Sequence, residues 1–167
     1  MSNLDLLKKL IKIESISPND NGCFDVIKQQ FEGLDFSFEE TNYKNISNLV
    51  ITNGNSKNKT FCFLGHTDVV PPGPESEWTV PPFSGEIIDN KIYGRGAADM
   101  KGGVACFISA LKEFLSEYKD PSFNVMVLLN SNEEGKLENG KVDGIINEMI
   151  DKDKFCLLYT SPSPRDV

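Results

Sequence analysis

The sequence predicts a layered α/β/α fold built on a largely parallel central sheet. Two segments, "TFCFLG" and "FNVMVLLN", are apolar over most of their length, as expected for strands that are covered on both faces. Segments whose apolar residues recur at helical spacing lie between the predicted strands. Strands that alternate with helices and are buried on both faces favour an α/β fold with a largely parallel sheet.

The first third of the chain contains two predicted helices and two predicted strands. The N-terminal segment predicts an amphipathic helix capped by Ser2 or Asn3, because its leucines recur at helical spacing and its lysines fall on the other face. A second helix is predicted to end at Gly33, a residue type common just after helices. The segments "FSFEET" and "SNLVIT" then predict strands.

The central part predicts an irregular loop, a hairpin and a long helix. The proline-rich segment 69–83 cannot form a helix or a central strand, and "GEIIDNKIYG" predicts a short hairpin that turns at Asp89 and Asn90. The segment "KGGVACFISALKEFLSEY" predicts a helix. Its apolar face is predicted to contain Val104, Phe107, Ala110, Leu111, Phe114 and Leu115. A last helix is predicted in "VDGIINEMI", and "FCLL" predicts a strand that Ser-Pro-Ser-Pro ends.

Composition excludes several classes of function. With 17 basic and 25 acidic residues the net charge is −8, which argues against nucleic acid or an anionic membrane as a partner. We find neither a bilayer-spanning run nor a signal peptide, and we expect a soluble cytoplasmic protein. The cysteines lie far apart without a C-x-x-C pair, which predicts reduced structural thiols. They are Cys23, Cys62, Cys106 and Cys156.

Three predicted loops bring one imidazole and four carboxylates to the same edge of the sheet. His66, the only histidine, follows the apolar run "FCFL", and Asp68 lies two residues further on. Glu133 and Glu134 follow the strand "VMVLL", and Asp99 lies in the glycine-bracketed loop "YGRGAADMKGG" before a helix. In open α/β sheets ligands bind beyond the carboxyl ends of the strands, where these loops are expected to meet.

This set of side chains matches the chemistry of a metal site. Zn²⁺ binds imidazole and carboxylate ligands, and a ligating histidine usually donates its other ring proton to a carboxylate, a role open to Asp68. The pair Glu133-Glu134 offers one metal ligand and one general base, since adjacent residues of an extended chain point in opposite directions.

Each motif also has a simpler interpretation. A lone histidine after a strand is commonly a hydrogen-bonded structural residue, and "EEG" before a helix is commonly solvated charge. The loop "GRGAAD" resembles a dinucleotide-binding loop, but Asp99 replaces its last glycine and would repel a pyrophosphate. Arg95 and Lys101 are candidates for binding a substrate carboxylate, although ordinary surface pairing is the simpler alternative.

The segments "GHTDVVPPGPESEWTVPPFSGEIIDNKIYGRGAADMKGG" and "LLNSNEEG" together resemble the zinc aminoacylase and carboxypeptidase family of metallohydrolases. "GHTDVVPPGP" combined with "YGRGAADMKG" favours those members that hydrolyse N-succinyl-LL-2,6-diaminopimelate to succinate and LL-2,6-diaminopimelate in lysine biosynthesis. The alternatives are a deacetylase of N-acetylornithine, an aminoacylase, or a non-catalytic metal-binding or interaction domain.

The resemblance implies a role for each candidate residue and a two-metal cofactor. It implies that His66 binds one Zn²⁺, Asp99 bridges two and Glu134 binds the other, with Co²⁺ as a possible substitute. It further implies that Glu133 is the general acid and base and that Asp68 orients His66. The substrate would be a small N-acyl amino acid, and the complete enzyme would be a homodimer.

The C-terminal end departs from the family's pattern. We expect residues 1–156 to form the N-terminal portion of a catalytic domain, and residues 157–167 to be an unrelated, disordered tail. The family's further acidic ligand, its second histidine and its lid and dimerisation domain have no counterpart in this sequence. We therefore expect a truncated chain with at most a partial metal site and no useful catalysis alone.

Overall fold

The computed structural model describes residues 2–43, 45–53, 59–119, 121–135 and 155–160, with the backbone alone for Tyr43 and residues 155–160. The helices are α1 (Asn3–Ile11), α2 (Cys23–Lys28) and α3 (Gly102–Glu117). The strands are β1 (Ser37–Tyr43), β2 (Ile46–Asn53), β3 (Thr60–His66), β4 (Ile87–Ile88), β5 (Lys91–Ile92), β6 (Asn124–Asn130) and β7 (Phe155–Thr160). Short helical turns occur at Gln29–Phe31, Glu75–Glu77 and Ala97–Lys101.

Five of these strands form one mixed sheet in the order β1-β2-β6-β3-β7. Strand β3 runs parallel to both β6 and β7, whereas β2 runs antiparallel to β1 and to β6. The prediction of a largely parallel sheet is therefore wrong for the β1-β2 side. The physical reason is that a short connection can join only antiparallel neighbours, and only residues 44 and 45 separate β1 from β2. Strand β3 has a neighbouring strand on each side, β6 and β7.

The three described helices all pack against one face of the sheet. Their buried side chains join those of alternate residues in the strands, such as Ile51, Phe63 and Val127, in one hydrophobic cluster. Alternate strand residues point to opposite faces, and Val50, Cys62 and Leu128 form a separate small cluster on the other side. The segment "VDGIINEMI", predicted as a further helix, lies outside the described residues.

The local signals in the sequence explain how most elements begin and end. Ser2 caps α1, with its hydroxyl accepting from the backbone N–H of Asp5 at 3.1 Å in a capping box. The turn after α2 leads to Gly33, whose φ of 79° suits a glycine that follows a helix. The hairpin between β4 and β5 turns at Asp89 and Asn90, which have φ values of 49° and 59°, as the sequence predicts.

The buried face of α3 differs from the predicted one. Ala110 is exposed, and the buried residues are Val104, Ala105, Ile108 and Leu111. The stripe through residues 104, 108 and 111 has the i, i+4, i+7 spacing of a helix face, and Ala110 lies two residues from its centre, on the far side. Small apolar residues such as alanine fit either face, which is why the sequence pattern misplaced it.

Strand β7 continues to Thr160 and so includes the first residues of segment 157–167. The expectation that this segment is unrelated to the family stays a prediction.

Cys23 and Cys62 are buried free thiols, and burial raises the pKa of Cys23 to about 11 and that of Cys62 to about 12. Within the described ranges, no helix has both the length and the apolar character needed to cross a bilayer.

Candidate metal centre

The parallel register of β3 and β6 places the carboxyl ends of both strands, where two loops begin, next to each other. His66, the last residue of β3, pairs with Asn130, the last residue of β6. Thr67 continues the pairing, since its N–H donates to the carbonyl of Asn130 at 2.9 Å. The chain segments that follow, with Asp68 in one and Glu133 in the other, therefore leave the sheet side by side.

The loop before α3 supplies the third group. Asp99 lies in the irregular turn Ala97–Lys101, and its Oδ1 is 3.1 Å from Nε2 of His66. Gly96 makes this approach possible, because it has a φ of 78° and a Cβ there would lie 2.4 Å from a methyl group of Val69. The predicted convergence of three loops is thus seen in the geometry.

The carboxylate of Asp68 accepts hydrogen bonds from three neighbouring groups of the site. Its side chain is fully buried, and its two oxygens accept from the backbone N–H groups of Glu133 and Glu134, each at 3.1 Å. The hydroxyl of Ser17 also donates to Oδ2 of Asp68. Burying a carboxylate is costly unless it accepts hydrogen bonds, so these donors offset the burial of Asp68 beside the imidazole.

The imidazole of His66 is fixed by Asp68 on one side and faces carboxylates on the other. Nδ1 lies 3.0 Å from the Asp68 carbonyl oxygen and 3.5 Å from its carboxylate, so the Nδ1–H tautomer donates there. Nε2 then faces Oδ1 of Asp99, and Oε2 of Glu133 is 3.7 Å away. A neutral imidazole in this tautomer presents its Nε2 lone pair to the centre, as ligation requires.

Opposing effects set the protonation of His66 in the metal-free chain. Burial lowers its pKa, but the hydrogen bonds and the charge of Asp68, with the charge of Glu133, outweigh burial and raise the pKa to about 9. The metal-free ring is therefore protonated at neutral pH, and a cation that binds Nε2 must displace a proton.

The two glutamates enter the same cluster. One ligand atom from each of His66, Glu133 and Glu134 lies within 4.8 Å of the other two. The expectation that the two side chains point in opposite directions is therefore wrong. The reason is that residues 133–135 form a bend instead of an extended strand, and both backbone N–H groups turn towards Asp68. Burial and the charge of Asp99 raise the pKa of Glu134.

The donor set fits a divalent cation such as Zn²⁺. It combines one imidazole nitrogen with carboxylate oxygens, and it concentrates negative charge around Nε2 of His66. Burial contributes most to the raised pKa of Glu134 and the charge of Asp99 adds to it, and a bound cation would relieve that repulsion between the carboxylates.

Both basic residues considered for binding a substrate carboxylate make contacts within the chain. Lys101 is fully buried, and its ammonium donates to the carbonyls of Leu10 and Ile13, both at 2.8 Å. The guanidinium of Arg95 lies over the ring of Trp78, 5.1 Å from its centroid. Lys101 therefore caps the end of α1, which the sequence alone did not indicate.

Comparison with known sequences decides the family. The sequence profile of the family described as "Peptidase family M20/M25/M40" matches residues 62–163, which include the five candidate residues of the site. The chain belongs to peptidase family M20/M25/M40. The resemblance to this family of metallohydrolases is thereby confirmed.

Two curated relatives are similar to almost the whole of this chain. A succinyl-diaminopimelate desuccinylase of Psychromonas ingrahamii is 43% identical over 98% of this chain, which covers 44% of that protein. One of Rhodospirillum centenum is 46% identical over 96% of this chain and 43% of that protein. The chain thus spans less than half the length of these M20 relatives.

Two solved structures share the fold. Human carnosine dipeptidase 1 superposes with a TM-score of 0.81 at 23% identity, over 96% of this chain and 38% of the dipeptidase chain. An M20 family metallo-carboxypeptidase of Sulfolobus solfataricus gives a TM-score of 0.76 at 26% identity, over 99% of this chain and 39% of the other. These comparisons support an α/β catalytic-domain fold, of which this chain covers a part.

The loop between α1 and α2 also contacts the site, although it was not among the predicted site loops. Ser17 reaches Asp68, and Asp20 accepts from the hydroxyl of Thr67 at 2.9 Å and from the N–H of Phe24 at the start of α2. Asp20 could have been found as a capping residue, because aspartate is favoured before a helix. Ser17 carries no such signal, since its partner is remote in the sequence.

Proposed function

We propose that the protein to which this chain corresponds is a zinc-dependent amide hydrolase that removes the succinyl group from N-succinyl-LL-2,6-diaminopimelate. Residues 1–156 would form the N-terminal portion of its catalytic domain. The observation that carries the proposal is the convergence of three loops around Nε2 of His66. The names of the curated relatives support the choice of substrate.

Each residue of the centre has a proposed role. His66 and Glu134 would each bind a zinc ion, and Asp99 would bridge the two. Asp68 would keep His66 in the tautomer that leaves Nε2 free, which its contacts with Nδ1 support. We expect weak zinc binding by this chain alone, because it supplies three candidate ligands while zinc sites usually have four.

Glu133 is the proposed general base and acid. Bound zinc supplies Lewis-acid polarisation of the amide carbonyl and acidifies water. The side chain of Glu133 is 55% exposed, so its carboxylate can reach a substrate while its backbone N–H remains bonded to Asp68. It would accept the proton of the attacking water and return it to the leaving nitrogen, giving succinate and a free amine.

Zinc binding by this chain tests the site. We expect wild-type protein to bind Zn²⁺ in a calorimetric titration, and Glu134→Gln to weaken binding by about tenfold or more, since even outer-shell losses cost about 10- to 100-fold. Glu113→Gln, which neutralises an exposed carboxylate on α3, is the matched control. Equal affinities for the two variants would contradict the assignment of Glu134.

Activity of the complete protein tests the reaction and the substrate. Glu133→Gln should lower kcat by about 100-fold or more, because a positioned general base contributes about 10²- to 10⁴-fold. Substantial residual turnover would exclude that role. Comparing kcat/KM for N-succinyl and N-acetyl amino acids separates the desuccinylase from a deacetylase or an aminoacylase, and faster hydrolysis of the acetylated substrates would overturn the proposed specificity.

A further inference from the structure

The loop after α1 is fastened to the β3 side of the centre by its main chain. The N–H of Ser17 donates to the carbonyl of Val69 at 3.1 Å, and the N–H of Val69 donates to the carbonyl of Ser15 at 2.9 Å. On the β6 side, the hydroxyl of Ser131 donates to the carbonyl of Pro18 at 2.7 Å. These bonds hold the loop in place without the side chain of Ser17, whose hydroxyl adds one longer contact of 3.4 Å with the carbonyl oxygen of Val69.

That side chain makes a separate contact with the centre. Its hydroxyl donates to Oδ2 of Asp68, the oxygen that also accepts from the N–H of Glu134. The other oxygen, Oδ1, accepts from the N–H of Glu133 and lies 3.5 Å from Nδ1 of His66. Donors on both oxygens fix the plane of the carboxylate, and that plane decides how Oδ1 meets the imidazole.

We propose that Ser17 is a positioning residue of the metal centre, acting through Asp68 on the imidazole of His66. The inference rests on the proposed function, because it assigns Ser17 to the support of that same site. The Ser17 hydroxyl is the only side-chain donor among the described contacts of Oδ2, whose other donor belongs to the backbone. Without the hydroxyl, Asp68 loses a charge-assisted bond in a buried site and its carboxylate is free to turn.

The chain offers a matched control for this role on the same loop. Ser15 is fully buried, and its hydroxyl donates to the carbonyl of Thr67 at 2.7 Å, one residue from Asp68. Ser15→Ala and Ser17→Ala remove the same atom from the same loop, but only the second removes a donor from Asp68. Ser17→Thr retains the hydroxyl and is the conservative variant expected to restore wild-type behaviour.

Two readouts on this chain test the proposal. The first is the zinc dissociation constant, which Ser17→Ala should raise by about 3- to 10-fold, somewhat less than the loss of a ligand's direct partner. The second is the ¹⁵N spectrum of the single imidazole in the metal-free chain at one fixed pH. Its Nδ1 signal should move in Ser17→Ala, whereas Ser15→Ala and Ser17→Thr should match the wild type. Circular dichroism establishes that each variant is folded.

The outcomes separate the two proposals. If Ser17→Ala matches Ser15→Ala in both readouts while the wild type binds zinc, Ser17 has no positioning role and the proposed function stands. If the wild type does not bind zinc but the imidazole signal moves in Ser17→Ala alone, the zinc site proposed for this chain fails and the positioning of His66 by Ser17 through Asp68 stands. Should Ser17→Ala not fold, Ser17→Cys, whose thiol is a weak donor, takes its place in both comparisons.

Discussion

Replacing Asp68 by asparagine should lower the pKa of His66 by two units or more. In the metal-free wild type the pKa is raised from 6.5 to about 9, which corresponds to about 3 kcal/mol of favourable interaction with the protonated ring, at about 1.4 kcal/mol per unit. Burial opposes protonation, and the contacts with Asp68, together with the charge of Glu133, overcome it. Asp68→Asn removes the charge and leaves burial, so the pKa of His66 should fall below 6.5.

The same shift predicts how stability depends on pH. A pKa raised in the folded state contributes stability that is fully present below the unfolded value of 6.5 and is lost as the pH rises through about 9. The free energy of unfolding of the metal-free wild type should therefore fall between these values by up to about 3 kcal/mol relative to Asp68→Asn.

The measurement is direct because His66 is the only histidine. Its titration is followed by ¹⁵N NMR in the presence of a chelator, and the free energy of unfolding by urea denaturation at each pH. Asp25→Asn, which removes an exposed carboxylate on α2, should leave the titration unchanged. A wild-type midpoint at or below 6.5, or an unchanged midpoint in Asp68→Asn, would refute the reasoning.

Two further substitutions test the framework around the centre, each by urea denaturation. Gly96→Ala should destabilise the fold by about 2 kcal/mol or more, because the added Cβ would lie 2.4 Å from a methyl group of Val69 and the backbone φ is 78°. Gly103→Ala is the control and should not change the free energy of unfolding, because its added Cβ would make an ordinary contact of 3.7 Å with Met100. Lys101→Met should cost about 1–3 kcal/mol, because it leaves the carbonyls of Leu10 and Ile13 without their donor. A cost for Gly103→Ala equal to that for Gly96→Ala, or a neutral Lys101→Met, would contradict these assignments.

The strands and the ends of the helices could be predicted because their signals are local. The continuous apolar runs predict β3 and β6 through burial on both faces, and the turn at Asp89 and Asn90 follows from residue types that tolerate a positive φ. The direction of β2 could not be predicted, because the same apolar pattern suits either orientation and pairing with β6 is a tertiary contact.

The site was predictable where loops follow strands and less so where side chains must be oriented. His66, Asp68 and Asp99 come together because their loops leave one edge of the sheet. The shared direction of the two glutamates depends on the bend that Asp68 stabilises, which no pattern in "NEEG" encodes. Ser17 and Asp68 are 51 residues apart, and only the fold makes them neighbours.

The pairing of His66 with Asn130 makes the proposed metal binding depend on the alignment of two strands. A slip of one residue between β3 and β6 would send every side chain of one strand to the opposite face and move His66 about 3.3 Å along the sheet, away from Glu133 and Glu134. An ion that needs an imidazole and carboxylates together would not bind to a chain in which these two strands are misaligned. Zinc added during refolding would thus stabilise the native register of β3 and β6 relative to other registers with similar hydrophobic burial.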